Sequence, residues 1–170
     1  MKKMKASLFL LFAGCAVMVS GCAFTERQKM AQLSTAIQYE DSKRVAATFF
    51  EVLARGDEAR YWPMLSPAQT RKNPQLRQIV KNEFVPRMND FVAWSSSPTV
   101  AIVENLDATA ELPGPFYIVD RMAKLKNGEE ACFIAIVEFG ANGRGYVSNL
   151  YRGKTKADAR RKVRADLKGA

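Results

Sequence analysis

Asp120 is the carboxylate whose sequence setting best suits it to chemistry. It falls within Phe116–Lys126, a run that reads as a strand with Phe116, Ile118 and Met122 on the same side as the acid. A carboxyl group in an apolar setting has its charged form disfavoured, so it could serve as a general base or anchor the polar end of a ligand. The expected register adds Tyr146 and Phe133 to that face. The simpler reading is an ion pair at a strand edge. Its neighbour Arg121 reads as a snorkelling cation or one half of an interface ion pair.

Other chemistries are narrowed by composition. The chain has no histidine, which removes Ser-His-Asp and Cys-His catalysis and histidine-based zinc sites. Gly140, Gly143 and Gly145 read as turn residues and not as a phosphate loop. Glu129 and Glu130 form an adjacent, solvated pair, and no spaced carboxylates suggest calcium. No catalytic set, metal site or cofactor is expected. Cys132 lies in the apolar run 131–137 and reads as a small core residue.

The elements that must position these residues change character along the chain. Val45, Phe49, Val52 and Leu53 recur at helical spacing over Asp41–Arg55, and Gly56 is a natural stop. A short helix is expected over Glu58–Trp62, ended by Pro63. Asn73-Pro74 should open another, with Leu76, Ile79, Val80 and Phe84 on its apolar face. Pro86 should kink or restart it, with Met88, Phe91 and Val92 in the continuation. Strands are then expected over Thr99–Glu104, Asp107–Leu112, Phe116–Lys126, Glu130–Phe139 and Arg144–Tyr151. Helices first and an antiparallel meander afterwards predict an α+β domain, with N-terminal helices packed on the sheet.

Asn127-Gly128 is a strong two-residue hairpin signal. If it turns that tightly, Lys126 pairs with Glu129 and Asp120 lies opposite Ala135. One face then carries Phe116, Ile118, Asp120 and Met122 beside Phe133, Ala135, Val137 and Phe139, joined by Tyr146, Ser148 and Leu150. The other carries Tyr117, Val119, Arg121, Ala123 and Leu125 beside Cys132, Ile134, Ile136, Val147 and Tyr151. Both faces are largely apolar, so both need covering. The helices can cover one. The other requires the N-terminal segment, the C-terminal tail or a second molecule, which makes Tyr117, Arg121, Ile134 and Tyr151 candidate interface residues of a homodimer or of a complex with an envelope protein.

The N-terminus carries Lys2, Lys3 and Lys5, then an apolar stretch over Ala6–Val19, then Val19-Ser20-Gly21-Cys22. The stretch is too short to span a bilayer comfortably. Together these resemble the leader and lipobox of bacterial lipoproteins. The resemblance implies a leader over residues 1–21, cleavage before Cys22, and acylation (palmitate among the chains) of that cysteine. Ala23, in place of an aspartate, implies an outer-membrane anchor facing the periplasm. Cys15 leaves with the leader, so Cys132 would be the remaining thiol and no internal disulfide is expected.

Losing three lysines lowers the formal net charge from +9 to +6. Residues 152–170 hold eight basic and two acidic residues, so that tail alone carries the +6. The expected organisation is a lipidated tether over 22–40, a domain over 41–151 and a basic tail over 152–170. Thr155 could cap a tail helix with Ala159, Val163 and Leu167 on one stripe, touching anionic lipid, peptidoglycan or an acidic partner. The stripe is thin, and the simpler reading, a solvated or disordered terminus, is the favoured one. No aromatic residue is interleaved with the basic ones after Tyr151, and nucleic acid is not an expected partner.

The segment from Ala46 to Asp57, AATFFEVLARGD, followed by Leu65-Ser66-Pro67, resembles the opening of nuclear transport factor-like (cystatin-like) domains. The resemblance covers about Asp41–Tyr151 and implies a cone in which a curved sheet wraps on helices. That fold hosts enzymes, ligand binders and adaptors alike. The expectation is a non-catalytic, envelope-anchored interaction module. The alternative is a binder of a small apolar ligand with Asp120 as its polar anchor, and an enzyme comes third.

Overall fold

A computed structural model describes residues 33–103 and 115–169. The leader, Cys22 and the expected strand Asp107–Leu112 lie outside the described residues. The chain divides into two units between Ile37 and Gln38. In the first, residues 33–37 are helical, and Leu33 and Ile37 are exposed.

The second unit opens with helix α1 (38–54). Ala46, Phe49, Phe50, Val52 and Leu53 form its buried stripe. The helix ends where the sequence predicts. Gly56 adopts φ +66°, its N–H bonds the Leu53 carbonyl at 3.0 Å, and the Asp57 N–H reaches the Val52 carbonyl at 3.2 Å. This is a Schellman closure, which a side chain at Gly56 would strain. Asp57 then caps α2 (Glu58–Tyr61), which passes through a 3₁₀ turn (Trp62–Met64). Ser66 caps α3 (Pro67–Lys72).

The next helix begins at α4 (Leu76–Ile79), widens to a π turn (Val80–Phe84) and closes as α5 (Val85–Arg87). Pro86 has no N–H to offer the turn before it, which accounts for the restart. The helical continuation expected through Met88, Phe91 and Val92 does not occur. Phe91–Trp94 is strand β1, pairing with β3. The apolar spacing of those residues suits either period, and strand pairing decides it.

The remaining strands are β2 (Thr99–Val103), β3 (Phe116–Leu125), β4 (Glu130–Phe139) and β5 (Gly145–Gly153). The antiparallel order is β1-β3-β4-β5, with β2 also paired to β3. Helix α6 (Lys156–Gly169) follows. The unit is thus an α+β domain.

The hairpin register differs from expectation by one residue. Leu125 and Glu129 close the β3–β4 loop, with Leu125 N–H on the Glu129 carbonyl and Gly128 N–H on the Leu125 carbonyl, both at 2.9 Å. The loop therefore holds Lys126, Asn127 and Gly128, with Gly128 at φ +83°. Asparagine-glycine serves here as the end of a three-residue loop, not as a two-residue turn. Asp120 faces Ile134, not Ala135.

Because side chains alternate, this slip exchanges whole faces. Phe116, Ile118, Asp120 and Met122 share a face with Cys132, Ile134 and Ile136. Tyr117, Val119, Arg121, Ala123 and Leu125 share the other with Phe133, Ala135 and Val137. A second irregularity lies in β5, where Val137 pairs Val147 but Ile136 pairs Asn149, leaving Ser148 as the extra residue. The bulge turns both Val147 and Leu150 toward the main core, while Tyr151 joins the opposite cluster. Val147 and Leu150 had been expected on different faces.

The main core joins α1 and the short helices to the Tyr117–Phe133 face. Phe50, Trp94 and Phe133 meet at centroid separations of 5.4–6.2 Å. Such contacts contribute ~0.5–1.5 kcal/mol each beyond their buried area. A second cluster joins Cys132, Ile134 and Ile136 to Ala159 and Val163 of α6. The basic tail therefore covers the second face of the sheet, and the boundary expected at Tyr151 falls inside β5. The solvated terminus is replaced by a docked helix, and its apolar stripe faces the sheet. The side chain of Leu167 lies outside the described set.

Candidate functional site

Asp120 is 3 % exposed. Thr99, directly across from it on β2, donates its hydroxyl to Oδ1 at 2.5 Å. Lys156 Nζ sits 2.7 Å from Oδ1 and Arg160 donates to Oδ2 at 2.6 Å. Lys156 also bonds the Thr99 hydroxyl at 2.7 Å. Burial pushes the carboxyl up, but the hydrogen bonds from Lys156, Thr99 and Arg160 prevail and hold it below the usual carboxylate range. A general base would call for the opposite shift, and a ligand's polar end would have to compete with Thr99, Lys156 and Arg160 for the same two oxygens. The four residues bind β2, β3 and α6 together. The ion-pair reading of Asp120 describes it, although the pair lies under a helix and not at a strand edge.

The other expected ligand-binding residues do not converge on Asp120. Phe133 lies on the opposite face, 4 % exposed, packed on Phe50 and Trp94 with Arg152 over its ring at 5.3 Å. Tyr146 pairs with Glu138, four positions along β4 from the Ile134 that Asp120 faces. That is roughly 13 Å of strand. Tyr146 accepts from Asn142 at 3.5 Å and carries Arg144 over its ring.

The expected interface residues are divided between the two faces; Tyr117 and Ile134 are buried, and Arg121 and Tyr151 are half-buried with partners inside the domain. Tyr117 is fully buried and donates its hydroxyl to Gln38 at 3.0 Å. Arg121 lies over Trp94 at 4.6 Å and donates from Nε to the Ser96 carbonyl at 3.0 Å. Ile134 is fully buried under α6, and Tyr151 packs at the edge of that cluster. Burial pushes the Tyr151 phenol up to about 12.

Two further buried groups have distinct settings. Cys132 is a free, buried thiol pushed up to about 11 by burial, with the Asp120 charge adding to it. Glu138 is 4 % exposed and accepts a short hydrogen bond from the Ser66 hydroxyl, while its Oε2 has no hydrogen-bond partner. Burial pushes its carboxyl up despite Ser66 and the nearby Lys72 charge. Ser66 also docks α3 on the sheet edge, its N–H bonding the Val147 carbonyl at 2.8 Å.

The outward-facing candidate is a groove of about 800 Å³ between the β3–β4 hairpin end and the start of α6. Leu125, Ala131 and Gly153 form its apolar floor; Glu129 and Glu130 stand on the hairpin wall. Lys154, Arg161 and Lys162, with Arg152 and Asp158, stand on the helix side. Arg152 is held by a bidentate pair to Asp90 at 2.7 and 3.1 Å. Asp158 takes Arg161 at 2.7 Å, Lys162 at 3.5 Å and the Lys154 N–H at 3.1 Å. Lys162 Nζ also reaches the Arg152 carbonyl at 2.8 Å, tying α6 to β5.

The C-terminal tail, one of the three covers expected for the second sheet face, fills that role, and its first turns form this wall. Among the described residues, no group of histidine, cysteine, aspartate and glutamate could hold a metal ion. Among the same residues, no helix is long and apolar enough to cross a membrane. Compared with known proteins, the chain matches no family model, no curated protein sequence and no solved structure.

Proposed function

We propose that this chain is a lipid-anchored, periplasm-facing protein of the bacterial outer membrane, acting as a non-catalytic interaction module with a cystatin-like domain. The leader, the apolar run and Val19-Ser20-Gly21-Cys22 support the anchor. The observation that carries the module reading is Asp120. The carboxylate best placed for chemistry is fixed by Thr99, Lys156 and Arg160, so its charge serves docking of α6. The groove beside α6 then offers the contact surface, in place of the internal sheet faces first considered. A homodimer or a complex with another envelope protein would form there.

The anchor is tested by expressing the full chain in a bacterium with an alkyne palmitate analogue. Labelling and membrane recovery are expected for the wild type and lost in Cys22→Ser. Labelling that survives the substitution overturns the anchor. The module is tested by photo-cross-linking from Thr155: a defined cross-linked species is expected, and its absence in intact cells counts against a partner at the groove.

A further inference from the structure

The groove presents opposite charges on its two walls. Glu129 and Glu130 belong to the hairpin, while Arg152, Lys154, Arg161 and Lys162, with one acid, Asp158, belong to the α6 side and leave it positive. Among the described residues no ion pair joins Glu129 or Glu130 to Lys154, Arg161 or Lys162. Arg161 and Lys162 are engaged with Asp158, but Glu130 and Lys154 are exposed and have no ion-pair partner. Leu125 and Ala131, both buried, and Gly153 also line the groove and add no charge. The cleft volume falls in the roughly 300–1,000 Å³ range typical of ligand clefts.

A ligand of one charge sign would be attracted by one wall and repelled by the other. An apolar ligand would face two charged rims. The arrangement is complemented by a short extended chain with an acidic group toward α6 and a basic group toward the hairpin. We infer that the groove receives a charge-mixed peptide segment of a partner protein, its acid on Lys154 and its base on Glu130. This assignment rests on the interaction-module reading and names the chemistry of the partner.

The experiment is an NMR titration of the ¹⁵N-labelled full chain in detergent with a tetrapeptide of alternating lysine and glutamate. Tetraglutamate and tetralysine serve as the single-sign probes. The mixed peptide is expected to shift the Ala131, Gly153 and Thr155 amides and to bind more tightly than either single-sign probe. Lys154→Glu and Glu130→Lys, both at exposed and unpaired positions, should each weaken it by up to about fivefold. The double reversal should restore binding. Equal or tighter binding of tetraglutamate or tetralysine overturns the inference, as does absence of shifts with the mixed peptide. If Thr155 still cross-links to a partner in cells while the mixed peptide fails, the peptide inference falls and the module reading stands.

Discussion

Gly153 lies directly beneath Ala159: a β-carbon at residue 153 would fall 2.4 Å from the Ala159 nitrogen and 2.8 Å from its α-carbon. The last residue of β5 and the end of the first turn of α6 thus meet backbone to backbone. A methyl group there must displace the helix, since no flexible side chain can give way. Gly153→Ala is expected to cost about 1–3 kcal/mol, the usual range for overpacking. Urea denaturation measures it, and hydrogen exchange should rise in α6 more than in α1. Unchanged α6 protection would mean that the close approach imposes no constraint.

The Asp120 cluster should respond asymmetrically. Lys156 and Arg160 are 40 % and 39 % exposed, so both can turn to water if Asp120 is neutralised. Asp120→Asn should therefore cost about 1–3 kcal/mol, the scale of hydrogen bonds to charged groups. Removing both cations, as Lys156→Met with Arg160→Met, leaves a buried carboxylate held only by Thr99. That loss should reach about 3–5 kcal/mol. Comparable unfolding midpoints for the two variants would contradict the buried-carboxylate account.

Acid should weaken the same cluster. The folded carboxyl of Asp120 titrates below its unfolded value of about 3.9. Its contribution is therefore present above that pH and lost as pH falls through the depressed folded value. Wild-type stability should drop in that window, and Asp120→Asn should flatten the drop. Unfolding curves from pH 2 to 6 test the sign.

Glu138 has the opposite sign. Its folded carboxyl titrates above the unfolded value of about 4.3, so folding favours the protonated form. Stability contributed by that form is complete below pH ~4.3 and declines as pH rises through the folded value. In Glu138→Gln this decline should disappear, while the Ser66 contact retains an acceptor. A slope unchanged by the substitution would assign the decline to another group.

The Cys132 thiol is buried and raised to about 11, so little thiolate forms near neutrality. Iodoacetamide at pH 8 should leave the Cys132 peptide unmodified in the folded chain and alkylate it in urea, as read by peptide mass spectrometry. Rapid labelling without urea would show that the strand opens locally.

The parts of the fold set by local chemistry were legible in sequence. Gly56 marks the end of α1, Glu130–Phe139 is a strand from end to end, and both sheet faces need cover. What escaped was set by pairing. Gly128 ends a three-residue loop, and an asparagine-glycine step does not declare whether Lys126 belongs to the turn or the strand. Ser148 adds a bulge that periodicity alone does not mark. Phe91–Trp94 became a strand because β3 offers partners, overriding its helical spacing. The site followed from the same errors: with the faces exchanged, Asp120 moved away from Phe133 and under the tail helix.

The three-residue loop also bears on which genetic changes the domain can absorb. Losing one codon among Lys126, Asn127 and Gly128 would leave Leu125 opposite Glu129 across a two-residue turn, so Asp120 would keep Ile134 as its partner. Losing one codon of β3 between Asp120 and Leu125 would instead carry Asp120 onto the face of Phe133 and leave Lys156 and Arg160 without their carboxylate. Such a deletion removes no more chain than one in the loop, yet it should be far less tolerable. Descent with conservation of this fold would keep the length of the strand strictly and that of the loop loosely.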